Sequence, residues 1–255
     1  MYRGGTPPAA VAGSAVRLAG FAPHGAMTLL ALIACALCLR LGLWQWHRWL
    51  ASDAAWTRFA RGADAVQPLG ARTPEEVALF QRVSVAGRLD GRHQFLLDNR
   101  SYQGRPGYEV LTPLVRAGSA ALLVDRGWVA FTGSRARLPD VGLEDEPGVT
   151  VSGRVAELPS AGLASGHAPP GAADPWPKVT SFPDIAELAA ALGAPLAPRI
   201  LLLDPDASFG FVRDWRPPGM SPLRHLSYAI QWWCLGALAV IVWAVMSARR
   251  GARHE

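Results

Sequence analysis

YAIQWWCLGALAVIVWAVMS, residues 228–247, is an uncharged run of twenty residues near the end of the chain. A second apolar run, MTLLALIACALCLRLGLWQW at 27–46, lies near the start, and its only charged residue is Arg40. At 1.5 Å per residue, about twenty helical residues cross a hydrocarbon core of roughly 30 Å. The two runs therefore predict two transmembrane helices, at 27–47 and at 225–247.

Charge is distributed unevenly around these two helices. Residues 48–224 carry 19 basic and 19 acidic residues, so the net charge of +5 comes from the rest of the chain. Arginine and lysine concentrate on the cytoplasmic side of membrane proteins. We therefore predict cytoplasmic tails at 1–26 and 248–255, and an exported, periplasmic domain at 48–224. Topology accounts for the basic charge, so we expect no nucleic-acid partner.

Composition also bears on the source and on the redox state of the chain. One lysine stands against 24 arginines and alanine is abundant, which favours a GC-rich bacterium and places a multi-pass protein in its inner membrane. The three cysteines, Cys35, Cys38 and Cys234, all fall within the apolar runs. The exported region therefore has no disulfide, and an ordinary hydrophobic core must stabilise it.

The exported region has the pattern of a β-rich domain. After an amphipathic helical stem at 47–64, alternating apolar residues and turn residues predict strands at 82–89, 93–99, 107–115, 121–130, 149–158 and 198–204. Asp184 and Gly193 bracket a predicted short helix, and the Pro- and Gly-rich segment 159–177 predicts a long mobile loop. We expect a membrane protein of the α+β class, with two transmembrane helices flanking a mostly antiparallel barrel- or sandwich-like domain that has one or two short helices.

The exported region shows no catalytic motif. It has no GxSxG elbow, Walker loop, Rossmann glycine pattern or HExxH sequence, so we expect no enzyme. In LLVDRGWVA (122–130) we expect Asp125 to pair with Arg126, and Trp128 to pack in the core.

Polar residues are concentrated where the two helices meet the predicted outer surface. LWQWHRW (43–49) and RHLSYAIQWW (224–233) would lie side by side there, with tryptophans and Tyr228 as ordinary interfacial anchors. Gln231 lies six residues beyond His225, roughly 9 Å deeper along a helix. A polar amide at that depth needs a partner, and we predict an inter-helix hydrogen bond between Gln231 and Gln45.

His225 has two interpretations from the residues alone. It is either an interfacial histidine or a haem ligand, because imidazole is a common ligand of haem iron. A helical wheel places Ala229, Trp232 and Gly236 near it, which offers a notch with an aromatic wall. Arg48 and Arg224 are then candidate partners for haem propionates.

Six segments carry a family resemblance: LGLWQWHR (41–48), RVSVAGRLD (82–90), LLDNR (96–100), GYEVLTPL (107–114), LLVDRGWV (122–129) and RHLSYAIQWW (224–233). In this order they resemble the signature blocks of the Surfeit-locus-one family, the SURF/Shy-type assembly factors of cytochrome c oxidase. The chain departs from the family pattern at Ser227, where glycine is usual, and at Asp125, where asparagine is common.

The resemblance implies a non-enzymatic function in respiratory-chain biogenesis. It implies that the protein binds haem a transiently and assists its insertion into the catalytic subunit of the oxidase, with His225 as axial ligand. Arg48 and Arg224 would face the propionates, Trp232 would form a pocket wall, and no metal beyond haem iron is expected. The expected partners are that subunit, other assembly factors and the bilayer. The alternatives are a haem-independent membrane scaffold for assembly intermediates and, more remotely, a membrane-anchored periplasmic enzyme or sensor.

Overall fold

The computed structural model describes residues 21–62, 65–143, 148–159 and 166–252. The elements in chain order are α1 (Gly25–Arg61), β1 (Gln67–Pro68), a 3₁₀ turn (Pro74–Glu76), β2 (Arg82–Leu89), β3 (Phe95–Tyr102), β4 (Arg105–Val115), β5 (Ala121–Ala130), β6 (Val149–Ala156), β7 (Lys178–Thr180), α2 (Ile185–Leu192), β8 (Leu196–Leu203) and α3 (Pro222–Gly251). They divide into two compact units, and Asp53–Gly219 forms the β-rich one.

The helical unit contains two helices that are long and apolar enough to cross a membrane, as predicted. α1 continues to Arg61, so the predicted first span and the stem after it form one helix. The two helices pack antiparallel, because Gln45 of α1 contacts His225 and Thr28 contacts Trp243. Small residues line this contact, and the Sγ of Cys35 lies 3.5 Å from the carbonyl oxygen of Gly236.

The β-rich unit is a barrel closed by five strands. Neighbouring strands follow the order β2, β6, β8, β5 and β4, and β4 pairs again with β2 through Arg88–Val115 and Leu89–Leu114. The parallel pairs are β5–β8, β1–β2 and β3–β7, and the other pairs are antiparallel. The predicted mostly antiparallel barrel is confirmed. Valines and leucines from its strands, such as Val83, Leu114 and Leu201, fill the interior.

Helix α2 covers one side of this sheet, and its ends follow from the sequence. Asp184 and Glu187 form a capping box, and Gly193 ends the helix with a φ of 73°. Leu188 is fully buried beneath the helix.

The predicted loop 159–177 is described only in part, because residues 160–165 lie outside the described residues. The ammonium group of Lys178 donates to the carbonyl oxygens of Gly171 and Ala172 at 2.7 and 3.0 Å. A backbone bridge also joins Ala168 to Ser181. The last part of the loop is therefore bound to the domain.

Candidate functional site

A buried polar pair joins the two membrane helices. His225 and Gln45 are each 8% exposed, and Nδ1 of His225 lies 2.9 Å from Oε1 of Gln45. An amide oxygen only accepts hydrogen bonds, so Nδ1 carries a proton and donates it to Gln45, which leaves Nε2 on the other side of the ring. Nε2 has no hydrogen-bond partner in the described part of the chain, and it is not sealed from its surroundings. The pair therefore presents an oriented nitrogen ligand.

The predicted contact between Gln45 and Gln231 is wrong. Gln231 is exposed on the outer side of α3, while Gln45 is occupied by His225. At 100° per residue, Gln231 lies about 120° around the helix from His225. Only one of the two side chains can face α1, and in the structure it is that of His225.

The notch that the sequence predicted beside His225 is not open, because α1 covers it. Ala229 is fully buried and Gly236 is buried, because this face of α3 packs against α1. A Cβ added at Gly236 would lie 3.3 Å from the Cβ of Cys38. The small residues serve close helix packing, which lets the polar pair meet.

The aromatic side chain next to this packing is Trp233, which the sequence predicted only as an interfacial anchor. Its indole occupies the space where a side chain at Gly42 would be, and its ring lies 5.8 Å from that of Trp46. Trp232, the predicted wall, is half-buried one position away. The sequence pattern that could have predicted this contact is helical spacing. Gly42 lies three residues before Gln45 and therefore on the same face of α1, where it leaves room for a large side chain of α3.

Arg48 and Arg224 are both exposed near the polar pair, one turn or less from Gln45 and His225 in sequence. A metal-ligating histidine usually donates its other ring N–H to an acceptor, as Nδ1 does here. The donor set therefore fits a haem group in chemistry: an accessible Nε2, an orienting amide and two cations available to propionates. The described residues contain no group of three or more histidine, cysteine or acidic side chains that would hold a separate metal ion.

A second concave surface lies on the side of α1 away from Gln45. It encloses about 800 Å³ and is lined by Ala36, Leu39, Arg40, Leu41, Leu43, Trp44 and His47. Arg40 and His47 lie about 140° and 160° around the helix from Gln45. His47 and His225 therefore belong to different surfaces.

In the β-rich unit, the expected pairing of Asp125 with Arg126 is wrong. Successive residues of a strand point to opposite faces of the sheet, so the two side chains diverge. Oδ1 of Asp125 accepts the backbone N–H of Gly127, and burial beside Glu109 raises the pKa of the Asp125 carboxyl well above its ordinary value. Trp128 is buried as predicted.

A family model and individual relatives both relate the chain to the same protein family. The model of the SURF1 family matches residues 32–237. SURF1-like proteins of Mycobacterium bovis and of two Mycobacterium tuberculosis strains are each 31% identical to the chain over 185 residues. Each alignment covers 68% of this chain and 64% of the relative, so it spans less than two thirds of the relatives' own length.

Proposed function

The chain belongs to the SURF1 family, and we propose that it is a membrane-anchored assembly factor of cytochrome c oxidase that holds haem a through His225. The oxidase catalytic subunit would receive the haem, and that subunit and other assembly factors would be the partners. The observation that carries the proposal is the His225–Gln45 pair, which buries an imidazole yet leaves Nε2 without a partner among the residues that the structure describes.

Gln45 has a definite part in this proposal. By accepting from Nδ1 it fixes the ring orientation, so Nε2 is the nitrogen that would bind the iron. Arg48 and Arg224 would bind the propionates, and Trp232 would contact the macrocycle. Haem a supplies the redox-active iron that the oxidase needs, and this chain would only carry it.

The orientation in the membrane is part of the proposal. The His225–Gln45 end of the helix pair is the end where the chain leaves for the β-rich domain and returns from it. Arginines in both tails favour cytoplasmic termini, which would place this end and the domain on the periplasmic side of a bacterial inner membrane.

The haem-independent scaffold is the second candidate, and one observation favours it. The face of α3 that carries His225 is packed against α1 through Ala229 and Gly236. On that view the polar pair only fixes the register of the two helices, as buried polar contacts do in other bundles.

The deciding experiment is the absorption spectrum of the full chain purified from cells that make haem a. We expect a haem spectrum that is lost in His225→Ala and kept in His47→Ala, a matched variant of an exposed histidine on the other face of α1. Absence of haem from the parent protein, or an unchanged spectrum in His225→Ala, contradicts haem binding. If His225→Ala still supports oxidase assembly in a deletion strain, the scaffold is favoured.

A further inference from the structure

Arg126 of strand β5 is a buried cation bound only to neutral groups. It is 3% exposed. Its Nε donates to the carbonyl oxygen of Phe209 at 2.8 Å, and its Nη1 donates to Oε1 of Gln94 at 2.8 Å and to the carbonyl oxygen of Val141 at 3.1 Å. Burial lowers its pKa to about 10, so the guanidinium stays charged at neutral pH.

No acidic side chain in the described ranges forms an ion pair with Arg126. The neighbouring Asp125 faces the other side of β5, and burial is the sole cause of the lowered pKa of Arg126. A buried charge without a counter-charge costs free energy, and such residues are typically paired or used in binding. Nη2 donates to no acceptor in the described part of the chain and is not sealed from its surroundings.

Arg126 lines a cavity of about 540 Å³, and Nη2 is its nitrogen without an acceptor in the described part of the chain. Leu143, Phe209 and Phe211 give the cavity apolar walls, and the guanidinium carbon lies 4.8 Å from the ring centroid of Phe211. Three of the five N–H groups of Arg126 are used by the protein, and the two on Nη2 are left for a ligand.

A second arginine, Arg213, lies next to one lining residue. A side chain added at Gly210, which lines the cavity, would overlap the guanidinium of Arg213. Arg213 also binds backbone oxygens, those of Phe211 at 3.1 Å and Asp204 at 2.7 Å. The carboxylate in the described lining is that of Asp140, whose Oδ1 accepts the N–H of Gly142 at 2.9 Å. Asp140 therefore already has a hydrogen-bond donor of its own, and it forms no ion pair with Arg126 in the described part of the chain.

We propose that this cavity binds a carboxylate carried on an apolar body. The unpaired guanidinium of Arg126 matches an anionic group, the two N–H groups of Nη2 match carboxylate oxygens, and the apolar walls match a hydrocarbon or aromatic group. A small carboxylic acid and the C-terminal residue of a polypeptide share this chemistry. The inference concerns the β-rich unit alone and does not depend on haem binding.

The test measures binding of benzoate to the full chain in detergent by ligand-observed NMR, with benzamide as the neutral isostere. We expect saturable benzoate binding and roughly ten-fold weaker benzamide binding, because only the acid forms charge-assisted hydrogen bonds. This pair of ligands needs no variant, so it stands even if a change at Arg126 unfolds the domain. Absence of saturable benzoate binding, or equal binding of benzamide, overturns the proposal.

Variants locate the site. Arg126→Gln and Arg213→Gln should weaken benzoate binding, the first by roughly ten-fold or more and the second by a few-fold. Arg216→Gln is the matched control, because Arg216 is exposed and pairs with Asp214 at 2.7 Å. Unchanged affinity in a folded Arg126→Gln protein, or equal loss in Arg216→Gln, contradicts the assignment.

A third arm distinguishes the two sources of the carboxylate. N-acetylphenylalanine mimics a polypeptide C-terminus, and its amide is the matched neutral control. Tighter binding of N-acetylphenylalanine than of benzoate supports a polypeptide ligand, and the reverse order supports a small acid. Equal binding of the amide overturns the carboxylate assignment for both sources.

Discussion

The helical unit and the β-rich unit each bury one glutamine that orients a nitrogen-bearing side chain. Gln45 accepts from His225, and Gln94 accepts from Arg126 and from Thr112, each at 2.8–2.9 Å. The histidine offers a second ring nitrogen, whereas the arginine is charged and keeps unused donors. Under the two proposals above, a buried amide would orient one side chain toward a metal ion and the other toward an anion.

The two pairs also differ in how much of the glutamine is used. In the described part of the chain Gln45 has one hydrogen-bond partner, His225, whereas the amide nitrogen of Gln94 also donates to Gly91 and Val141, both at 2.9 Å. Gln94 is thus saturated and ties three chain segments together. The helix interface brings its glutamine into place by packing of small residues, whereas hydrogen bonds to both ends of the amide hold Gln94 in place.

Replacement of Gln94 should give the largest loss of stability, because it removes the buried amide of the β-rich unit. Gln94→Leu leaves Arg126 and Thr112 without their buried acceptor, which costs about 3 kcal/mol. We expect the melting temperature of the full chain to fall by roughly 6–12 °C. The exposed Gln67 provides a matched control. If Gln67→Leu and Gln94→Leu melt alike, the network does not stabilise the domain.

Enlarging Gly42 should disturb the helix side through packing. The indole of Trp233 fills the space beside Gly42, so Gly42→Leu forces the helices apart at a cost of about 1–3 kcal/mol. We expect loss of the near-ultraviolet circular dichroism that Trp46 and Trp233 contribute. Gly25→Leu is the control, because nothing lies within 4 Å of an added Cβ there. An unchanged spectrum in Gly42→Leu would mean that the helices do not pack this closely.

Substitution of Gln45 tests whether its amide orients His225 for ligand binding or only joins the two helices. Gln45→Leu removes the acceptor of Nδ1, and loss of such a second-layer partner lowers metal-ligand affinity by roughly 10–100-fold. The measurement is a haem titration of the full chain followed by its absorption spectrum. Gln231→Leu changes an exposed glutamine of the neighbouring helix and should leave the affinity unchanged. Equal affinity in Gln45→Leu and the parent protein argues against an orienting function.

Substitution of Asp125, on the face of β5 opposite Arg126, should give the smallest change in stability, and that change should depend on pH. Burial, and then the charge of Glu109, raise the pKa of Asp125 in the folded protein, with Arg100 opposing them. The folded state then holds a proton that the unfolded state has lost, so stability falls as pH rises above about 4 toward the folded pKa. Asp125→Asn can keep the bond from Gly127 and removes this titration. We expect its melting temperature to exceed that of the parent by roughly 2–4 °C at pH 8 and to match it at pH 4.

The control for this pH dependence is Glu75→Gln, which changes an exposed acid of the same domain. It should follow the parent protein at both pH values. A difference between Asp125→Asn and the parent that is equally large at pH 4 would show that the buried carboxyl does not titrate as described.

Local patterns predicted much of the architecture. The bounds of β2 and β5 match the predicted strands at 82–89 and 121–130, and α2 begins and ends at its predicted caps. β1 and β7 were missed, because strands of two and three residues are too short to show alternation. Of the site, sequence identified Gln45 and His225 as residues that needed partners, but it paired Gln45 with the wrong one.

The sequence by itself determined two apolar helices, a strand-rich region between them and the polar residues at the helix mouths. These properties depend on side chains that are neighbours in the chain, so composition and periodicity reveal them. Only the tertiary structure decided that His225 bonds to Gln45, that β2 and β4 close a barrel, and that Arg126 is buried beside a cavity with no ion-pair partner among the described residues. Those outcomes depend on the rotation and register of segments up to 180 residues apart, which no local pattern specifies.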